Sequence, residues 1–416
     1  MSDLLLSICL PTYNRADFLA YLLGQAAETW TFSFPYEILI TDNASTDDTE
    51  AVVRKHAGLG LPIRYYRQTE NKGGGPNLLT AFHRASGRYV LYLADDDLLD
   101  PAAVEEAMAF LTAHPDVRAA YAPWQLYDDV AKRPVGEFFT IDRDVLYGPG
   151  QEGELLNLII ERHIFPEIVI YRADAVRRIM AWPRFCFWAF VFLAGTIGQG
   201  QIAFLKAPYY RSVVNTSVRA NRDQAGIEEV MTGWDTYRGG LEYFVYTILQ
   251  RNGVSLADEN RKAVQEMIDQ FIAERMKVAL RLWLERGDYM NAHDIACRLA
   301  YRDPALVRDI PGMERLPLML VMQKLARFAN AVGGVERLEL VGVDEAAHLM
   351  PLLRQAGLEE RIALNAGASP AEDALPEHTI VFLARDSDRQ TCLDRGYAPN
   401  LVISEPELLT GLYPPA

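Results

Sequence analysis

Cysteine is scarce in this chain of 416 residues: Cys9, Cys186, Cys297 and Cys392 lie far apart and form no CxxC pair. That spacing excludes a disulfide framework and a zinc site, and the thiols read as ordinary buried ones in a reducing compartment. Positive charge is in deficit, with 41 Lys+Arg against 56 Asp+Glu and a net charge of -15. No overall basic field attracts a nucleic-acid backbone, so no DNA or RNA partner is expected. Long apolar runs are missing too. The longest, Phe185 to Gly198, falls short of the roughly 20 residues a membrane-spanning helix needs. The opening MSDLLLSICLPTYN has neither a basic n-region nor a small-residue cleavage site, and reads as a first strand rather than a signal peptide. A cytoplasmic protein is expected, with peripheral contact to the inner face of the plasma membrane left open.

Core material is ample. Apolar residues make up 50% of the chain and charged ones 23%, the balance of a globular protein long enough for two or three units. Between about residues 4 and 215 short apolar strands alternate with helical patterns: LLLSICLP, a helix from Asp17 to about Thr29, YEILITD, a helix from Asp47 to His56, PIRYYRQ, a helix around Asn77 to Ser86, and RYVLYLADDD. This order predicts βαβ units in a largely parallel sheet. In such open sheets a ligand sits at the carboxyl ends of the strands, where Pro11 to Asn14, Asp42 and Asp95 to Asp97 fall.

From about 224 to 330 apolar positions recur every three or four residues, as in ENRKAVQEMIDQFIAERMKVALRLWLERG, which predicts a helical connector or assembly module. Its aromatic piece, Trp234 to Leu249, reads as helix packing, with a membrane-surface or subunit contact as the second reading. From about 335 the βα pattern returns. Its first turn, Gly342-Val343-Asp344-Glu345-Ala346, keeps one glycine of a dinucleotide fingerprint and puts two carboxylates where a pyrophosphate would lie. A small Rossmann-like α/β unit with a structural or docking role is expected there. The predicted division is therefore 1–220, 221–333 and 334–416.

The chemistry concentrates at the front. Asp95-Asp96-Asp97 at a strand tip gathers the oxygen ligands that hard cations such as Mg2+ or Mn2+ choose; alternatively the triplet is a turn leading to a helix cap at Asp100 before Pro101. Pro11-Thr12-Tyr13-Asn14-Arg15 closes the first strand, Thr41-Asp42-Asn43-Ala44-Ser45-Thr46-Asp47 the second, and Glu70-Asn71-Lys72-Gly73-Gly74-Gly75-Pro76-Asn77 follows the third. These loops would meet on one sheet edge. Together they offer a carboxylate able to accept a uracil imide N–H, backbone amides for phosphates and a metal to neutralise a diphosphate.

In SICLPTYNRADFLAYLL, ILITDNASTDDTE, ENKGGGPN and LADDDLLDP, in that order and spacing, the first 110 residues resemble family 2 glycosyltransferases of the GT-A fold, and weaker similarity runs to about 215. The resemblance implies a GT-A, Rossmann-like α/β domain. It also implies a metal-dependent, inverting transfer of sugar from a nucleoside-diphosphate sugar to a cell-surface polysaccharide or another glycan, lipid-linked acceptors included. By position, Pro11, Thr12, Asn14 and Arg15 would line the nucleotide pocket, Asp42 with Asn43 would hold the base, and Asn71, Lys72, Gly73 and Asn77 would support it. Asp95 and Asp96 would approach ribose and metal, and Asp97, with Asp95, would bind Mn2+ or Mg2+. The second reading of Asp42 and Asn43 is a turn with an Asx-type hydrogen bond. Guanine and thymine also present suitable N–H groups, so uridine is only the favoured base.

The family's acidic pair, which supplies the base after a strand ending in Arg, is missing here. Ile168-Val169-Ile170-Tyr171-Arg172 matches the strand, yet the place of the pair reads Phe185-Cys186-Phe187-Trp188-Ala189-Phe190, and no Asp or Glu occurs from Ala175 to Arg222. Glu167 is the candidate base, with Asp128 or Asp129 behind it; a non-catalytic, nucleotide-sugar-binding or scaffold protein is the alternative. The acid-free window holds Arg177, Arg178, Arg184, Lys206, Arg211, Arg219 and Arg222, either a phosphate-recognising face or a solvated one. Arg211 and Arg219 are its donor-side candidates. The aromatic run from Phe185 to Phe192 is expected under the sheet, with an acceptor or lipid groove as the second reading. The seven histidines are dispersed, and His163 falls nearest the acceptor side. The helical and carboxyl-terminal regions suggest a homodimer or docking onto a pathway partner.

Overall fold

The computed structural model describes residues 4–219, 225–253 and 258–409. Contacts divide the chain into two compact units, residues 1–224 with 235–271, and residues 225–234 with 272–416. The helical stretch thus contributes to both.

The first unit opens with β1 (Leu6–Thr12), α1 (Ala16–Thr29), β2 (Tyr36–Asp42), α2 (Thr49–Gly58), β3 (Ile63–Arg67), α3 (Gly74–Arg84) and β4 (Tyr89–Tyr92). It continues through β5 (Leu98–Leu99), α4 (Pro101–Ala113), β6 (Val117–Tyr121), β7 (Trp124–Asp128), β8 (Arg133–Glu137), β9 (Val145–Tyr147), α5 (Glu152–Glu161), β10 (Val169–Arg172), α6 (Ala173–Val176), α7 (Trp188–Ile197), β11 (Gln201–Phe204) and β12 (Tyr210–Asn215). An eight-stranded sheet runs β3-β2-β1-β4-β10-β6-β11-β9. Strands β1 to β4 are mutually parallel, and β10 enters antiparallel between β4 and β6. A smaller sheet, β5-β12-β7-β8, carries the segment after the acidic triplet.

Strands β1 and β2 are covered on both faces, so they read as nearly continuous apolar runs, and Leu6, Ile8, Leu10, Ile38 and Ile40 are fully buried. Helix α1 buries Leu19, Leu22, Leu23 and Ala26, a stripe at three- and four-residue spacing. Asp100 caps α4 by accepting from the Ala102 and Ala103 N–H groups, with Pro101 in the first turn, as its sequence context predicts.

Local departures have local causes. Helix α3 starts at Gly74, ahead of the expected Asn77, because Gly73 at φ 88° turns the chain. Asp47 stays outside α2, since its carboxylate accepts from the Ala16 and Thr49 N–H groups. The aromatic run is split: Phe187 and Phe190 are buried, whereas Phe185, in the loop before α7, is 76% exposed. All four cysteines are free, but only Cys9 and Cys392 are buried; Cys186 and Cys297 are partly accessible, which corrects the expectation of four buried thiols.

The helices that follow are α8 (Ala225–Thr232), α9 (Trp234–Arg251), α10 (Asp258–Glu285), α11 (Tyr289–Arg302), α12 (Ala305–Arg308) and α13 (Leu316–Ala331). Then come β13 (Arg337–Val341), α14 (Ala346–Gln355), β14 (Ala363–Gly367), β15 (Thr379–Leu383), α15 (Arg389–Asp394), β16 (Val402–Ser404) and α16 (Glu405–Leu409). Strands β14-β13-β15-β16 form an all-parallel sheet, the Rossmann-like pattern expected near the carboxyl end. Among the described residues no helix is long and apolar enough to cross a membrane.

Candidate active site

The site is built from loops at the carboxyl edge of β1 to β4. Asn14, at φ 51°, accepts the Thr46 N–H at 2.7 Å and donates its own N–H to Ser45 Oγ at 2.9 Å, joining the first loop to the second. Asn43 Nδ2 donates to Asn71 Oδ1 at 2.7 Å and Asn43 Oδ1 accepts the Lys72 N–H at 2.9 Å, joining the second to the third. Asn77, buried, donates to the Thr41 carbonyl at 2.8 Å, and Gly73 donates its N–H to Asn71 Oδ1. Thr12 Oγ1 donates to Asp95 at 2.7 Å, tying the first loop to the triplet. Pro11 sits just before Thr12 on β1. The four sequence segments therefore converge, as their strand-end positions predict.

Asp42 is wholly buried. One oxygen accepts the Ser45 N–H at 2.8 Å, the Asx-type turn held open as an alternative, and the other accepts Tyr65 Oη at 2.5 Å. Burial, then Asp42, pushes the Tyr65 phenol well up, so it stays a donor. Arg67 lies 3.7 Å from the same carboxylate and donates to the Ser45 carbonyl.

The triplet lies in the turn between β4 and β5. Arg15 reaches Asp95 at 3.1 Å and Asp96 at 2.6 Å. Burial works against the Arg15 charge, but Asp95 and Asp96 more than reverse it. Asp95 is 4% exposed. Burial is the largest cause that pushes its carboxyl up to about 7; Arg15 pulls it down and Asp96 raises it again. Asp97 accepts Tyr210 Oη and the Val213 N–H, each at 2.8 Å. Tyr92, half-buried at the end of β4, feels Asp97, Glu167, Asp96 and Asp95 together, which with desolvation hold its phenol protonated. Glu167 thus acts on the same tyrosine as the triplet, while Trp188 packs edge-on against that ring.

The other candidates separate. Asp128 caps a turn by accepting from Val130 and Ala131 N–H groups, and Asp129, buried, holds Lys132 and Tyr21; both have structural work. Arg211 pairs with Asp100 and lies over Tyr127. Arg219 pairs with Asp17 at 2.8 Å and lies over Phe18, the ring that Arg15 also covers. Arg177, by contrast, donates to the Ala85 carbonyl, beyond the far end of α3, and Arg222 lies outside the described residues. His163 stacks on Phe271. Sequence reasoning missed Tyr65, Tyr92 and Tyr210, which lie on strands and carry no motif.

Among the described residues no three His, Cys, Asp or Glu side chains converge as a metal cage. Mg2+ and Mn2+ do not require such a cage, since they take one or two carboxylates and complete their shell with water and substrate phosphates. The triplet supplies hard oxygen donors, and Arg15 already marks the place beside Asp95 and Asp96 where positive charge is stabilised. The residues present fit a divalent cation.

A parallel-rich sheet whose strand-end loops assemble carboxylates, asparagines and a glycine-rich turn agrees with the GT-A fold that the sequence resemblance implies. Residues 7–180 match the glycosyl transferase family 2 model. An abequosyltransferase of Salmonella typhimurium is 35% identical over 117 residues, 28% of this chain and 34% of that protein. The poly(ribitol-phosphate) beta-N-acetylglucosaminyltransferase TarS of Staphylococcus aureus is 31% identical over 111 residues, 26% of this chain and 19% of that one. The chain thus spans about a third or less of the length of these relatives. Among solved structures, TarS with UDP-GlcNAc aligns at TM-score 0.49 and 18% identity, covering 77% of this chain and 85% of that one. A Pyrobaculum calidifontis mannosyltransferase with GDP-Man and Mn2+ aligns at 0.42 and 16%, covering 76% and 83%.

Proposed function

We propose that this chain is an inverting glycosyltransferase that moves a sugar from a nucleoside-diphosphate sugar, UDP favoured, to a hydroxyl of a cell-surface polysaccharide or related glycan. The observation that carries the reading is the stitching of four loops around Asp42 and Asp95 to Asp97. One named relative acts on poly(ribitol-phosphate) and the other transfers abequose, which supports a glycan acceptor. Four free cysteines fit a reducing, cytoplasmic setting.

In this reading the base lies toward Asp42, Asn43 and Tyr65, and the ribose toward Asp95 and Asp96. Asn71, Lys72, Gly73 and Asn77 support the nucleotide, while Arg15, Arg211 and Arg219 supply cationic surroundings for the diphosphate. Asp97 and Asp95 would hold the divalent cation, which when bound stabilises charge on the departing diphosphate. Glu167 takes the acceptor hydroxyl proton onto its carboxylate, in place of the family's acidic pair.

Calorimetric binding of UDP, GDP, dTDP and CDP, with and without Mn2+, tests the donor site, followed by hydrolysis of the matching sugar nucleotides. Metal-dependent binding of one nucleotide that Asp97→Ala abolishes, with slow sugar release, is the expected outcome. No binding by folded protein would sink the reading. Binding without any turnover would favour the second one, a nucleotide-sugar-binding scaffold, which the acid-free stretch from Ala175 to Arg222 supports.

A further inference from the structure

The loop before α7 breaks the rule its neighbours obey. Phe187 and Phe190 are buried, yet Phe185 is 76% and Met180 78% exposed. Isolated exposed apolar side chains are ordinary, but a contiguous set marks a contact surface. Helix α9 holds the Phe185 end of this loop against its own face, five residues after Met180. Phe187 N–H donates to the Thr236 carbonyl at 2.8 Å, Cys186 Sγ donates to the Gly239 carbonyl at 3.3 Å, and the Gly239 α-carbon lies against the Phe185 carbonyl with no room for a side chain. Residues four and seven positions after Gly239 share its helix face. They are Tyr243 and Tyr246, and both are exposed, Tyr246 to 60%.

The charge around this strip has one dominant sign. Arg178 and Arg184 in the loop are exposed, and no acidic residue follows in sequence until Asp223. Nearby, Asp174 is paired with Arg172 at 3.2 Å, while the half-exposed Glu242 lies 3.9 Å from Arg238, which pairs more closely with Asp269 at 2.6 Å. A chain of net charge -15 thus presents arginines beside Met, Phe and Tyr side chains. Aromatic and apolar side chains that enter the headgroup region, flanked by cations that meet anionic lipid, are the chemistry of an interfacial contact.

We propose that Met180, Phe185, Tyr243 and Tyr246, with Arg178 and Arg184, form a docking surface for an anionic phospholipid bilayer. The same loop places Trp182 against Gly75 in the glycine-rich turn, where a β-carbon would come within 2.7 Å of the indole. The surface therefore borders the donor loops, and a protein held by it would work at the membrane face. It uses no residue assigned to the donor site, so lipid binding and donor binding succeed or fail separately.

The test is co-sedimentation of the full chain with vesicles of phosphatidylcholine alone and of phosphatidylcholine mixed in equal parts with phosphatidylglycerol. Binding to the mixed vesicles only, weakened by salt, is expected. Met180→Ser with Phe185→Ser should reduce it about tenfold or more, and Arg178→Gln with Arg184→Gln severalfold, both at unchanged melting temperature and nucleotide affinity. If the serine pair does not fold, the glutamine pair decides alone. Absence of sedimentation, binding indifferent to either pair, or a serine pair that only converts a dimer to a monomer would overturn the proposal, the last in favour of a second copy of the chain.

Discussion

The Arg15 guanidinium lies between Asp95 and Asp96, 3.1 Å from one carboxylate and 2.6 Å from the other. One side chain from the first loop thereby balances two adjacent acids of the fourth, while Thr12, three residues earlier, binds Asp95 from the same loop. Without that cation the edge of the sheet would hold neighbouring carboxylates in a largely dehydrated pocket. Part of what assembles the loops is therefore electrostatic, and it acts before any ligand arrives.

Replacing Arg15 by Gln should destabilise the first unit by about 1–3 kcal/mol at pH 8, because it leaves buried acid without its partner. The loss should shrink at pH 5, where Asp95 takes up a proton. Urea denaturation of Arg15→Gln and the unaltered chain at both pH values, in metal-free buffer, measures it. An equal loss at both would show that Arg15 stabilises through packing on Phe18 rather than through charge.

Asp95 gives stability its own pH dependence. Its carboxyl is pushed up to about 7 from an ordinary 3.8, so between those values the folded chain holds a proton that the unfolded chain releases. This contribution is complete below about 3.8 and is lost as pH rises through 7. Asp95→Asn, which can still accept from Thr12, should flatten that slope in metal-free buffer and raise the melting temperature at pH 8 by a few degrees. A variant that melts lower at pH 8 than the parent would show that the anion is better satisfied than its burial implies.

The large features were legible because they rest on period and strand-end position. The alternation of strands and helices through Asp97 places the site, and the Asp100-Pro101 cap is found as read. Asp42 remained two-sided in sequence, since an Asp-Asn pair at a strand end suits either a turn or a ligand; the structure supplies a turn bond from the Ser45 N–H. Tyr210 was out of reach for a different reason. It lies 113 residues from Asp97, and only the pairing of β12 with β5 brings the two together. Phe185 misled because composition alone does not say where α7 begins; the chain is still loop until Trp188.

Within the glycine-rich turn Gly73 and Gly74 should respond unequally. Gly73 sits at φ 88° and ψ 163°, a conformation that costs a side-chain-bearing residue about 1–3 kcal/mol. Gly74 is helical, and nothing lies within 4 Å of the place a β-carbon would take, so Ala there should be neutral or stabilise by up to about 1 kcal/mol. Gly73→Ala should accordingly lower both the melting temperature and nucleotide affinity, and Gly74→Ala neither. Equal behaviour of the two would refute the role assigned to the turn at Gly73.

Glu167 is the sharpest test of the proposed chemistry, because the usual acidic pair is absent and Asp128 and Asp129 are occupied by a turn and by Lys132. Glu167→Gln keeps size and polarity but cannot take a proton. It should lower transfer to the acceptor by about a hundredfold to ten-thousandfold while nucleotide affinity, set by other residues, stays within about twofold. A calorimetric titration beside an initial-rate assay separates the two quantities. Transfer that survives Glu167→Gln would mean that the proton leaves by another route and that Glu167 serves only the field around Tyr92.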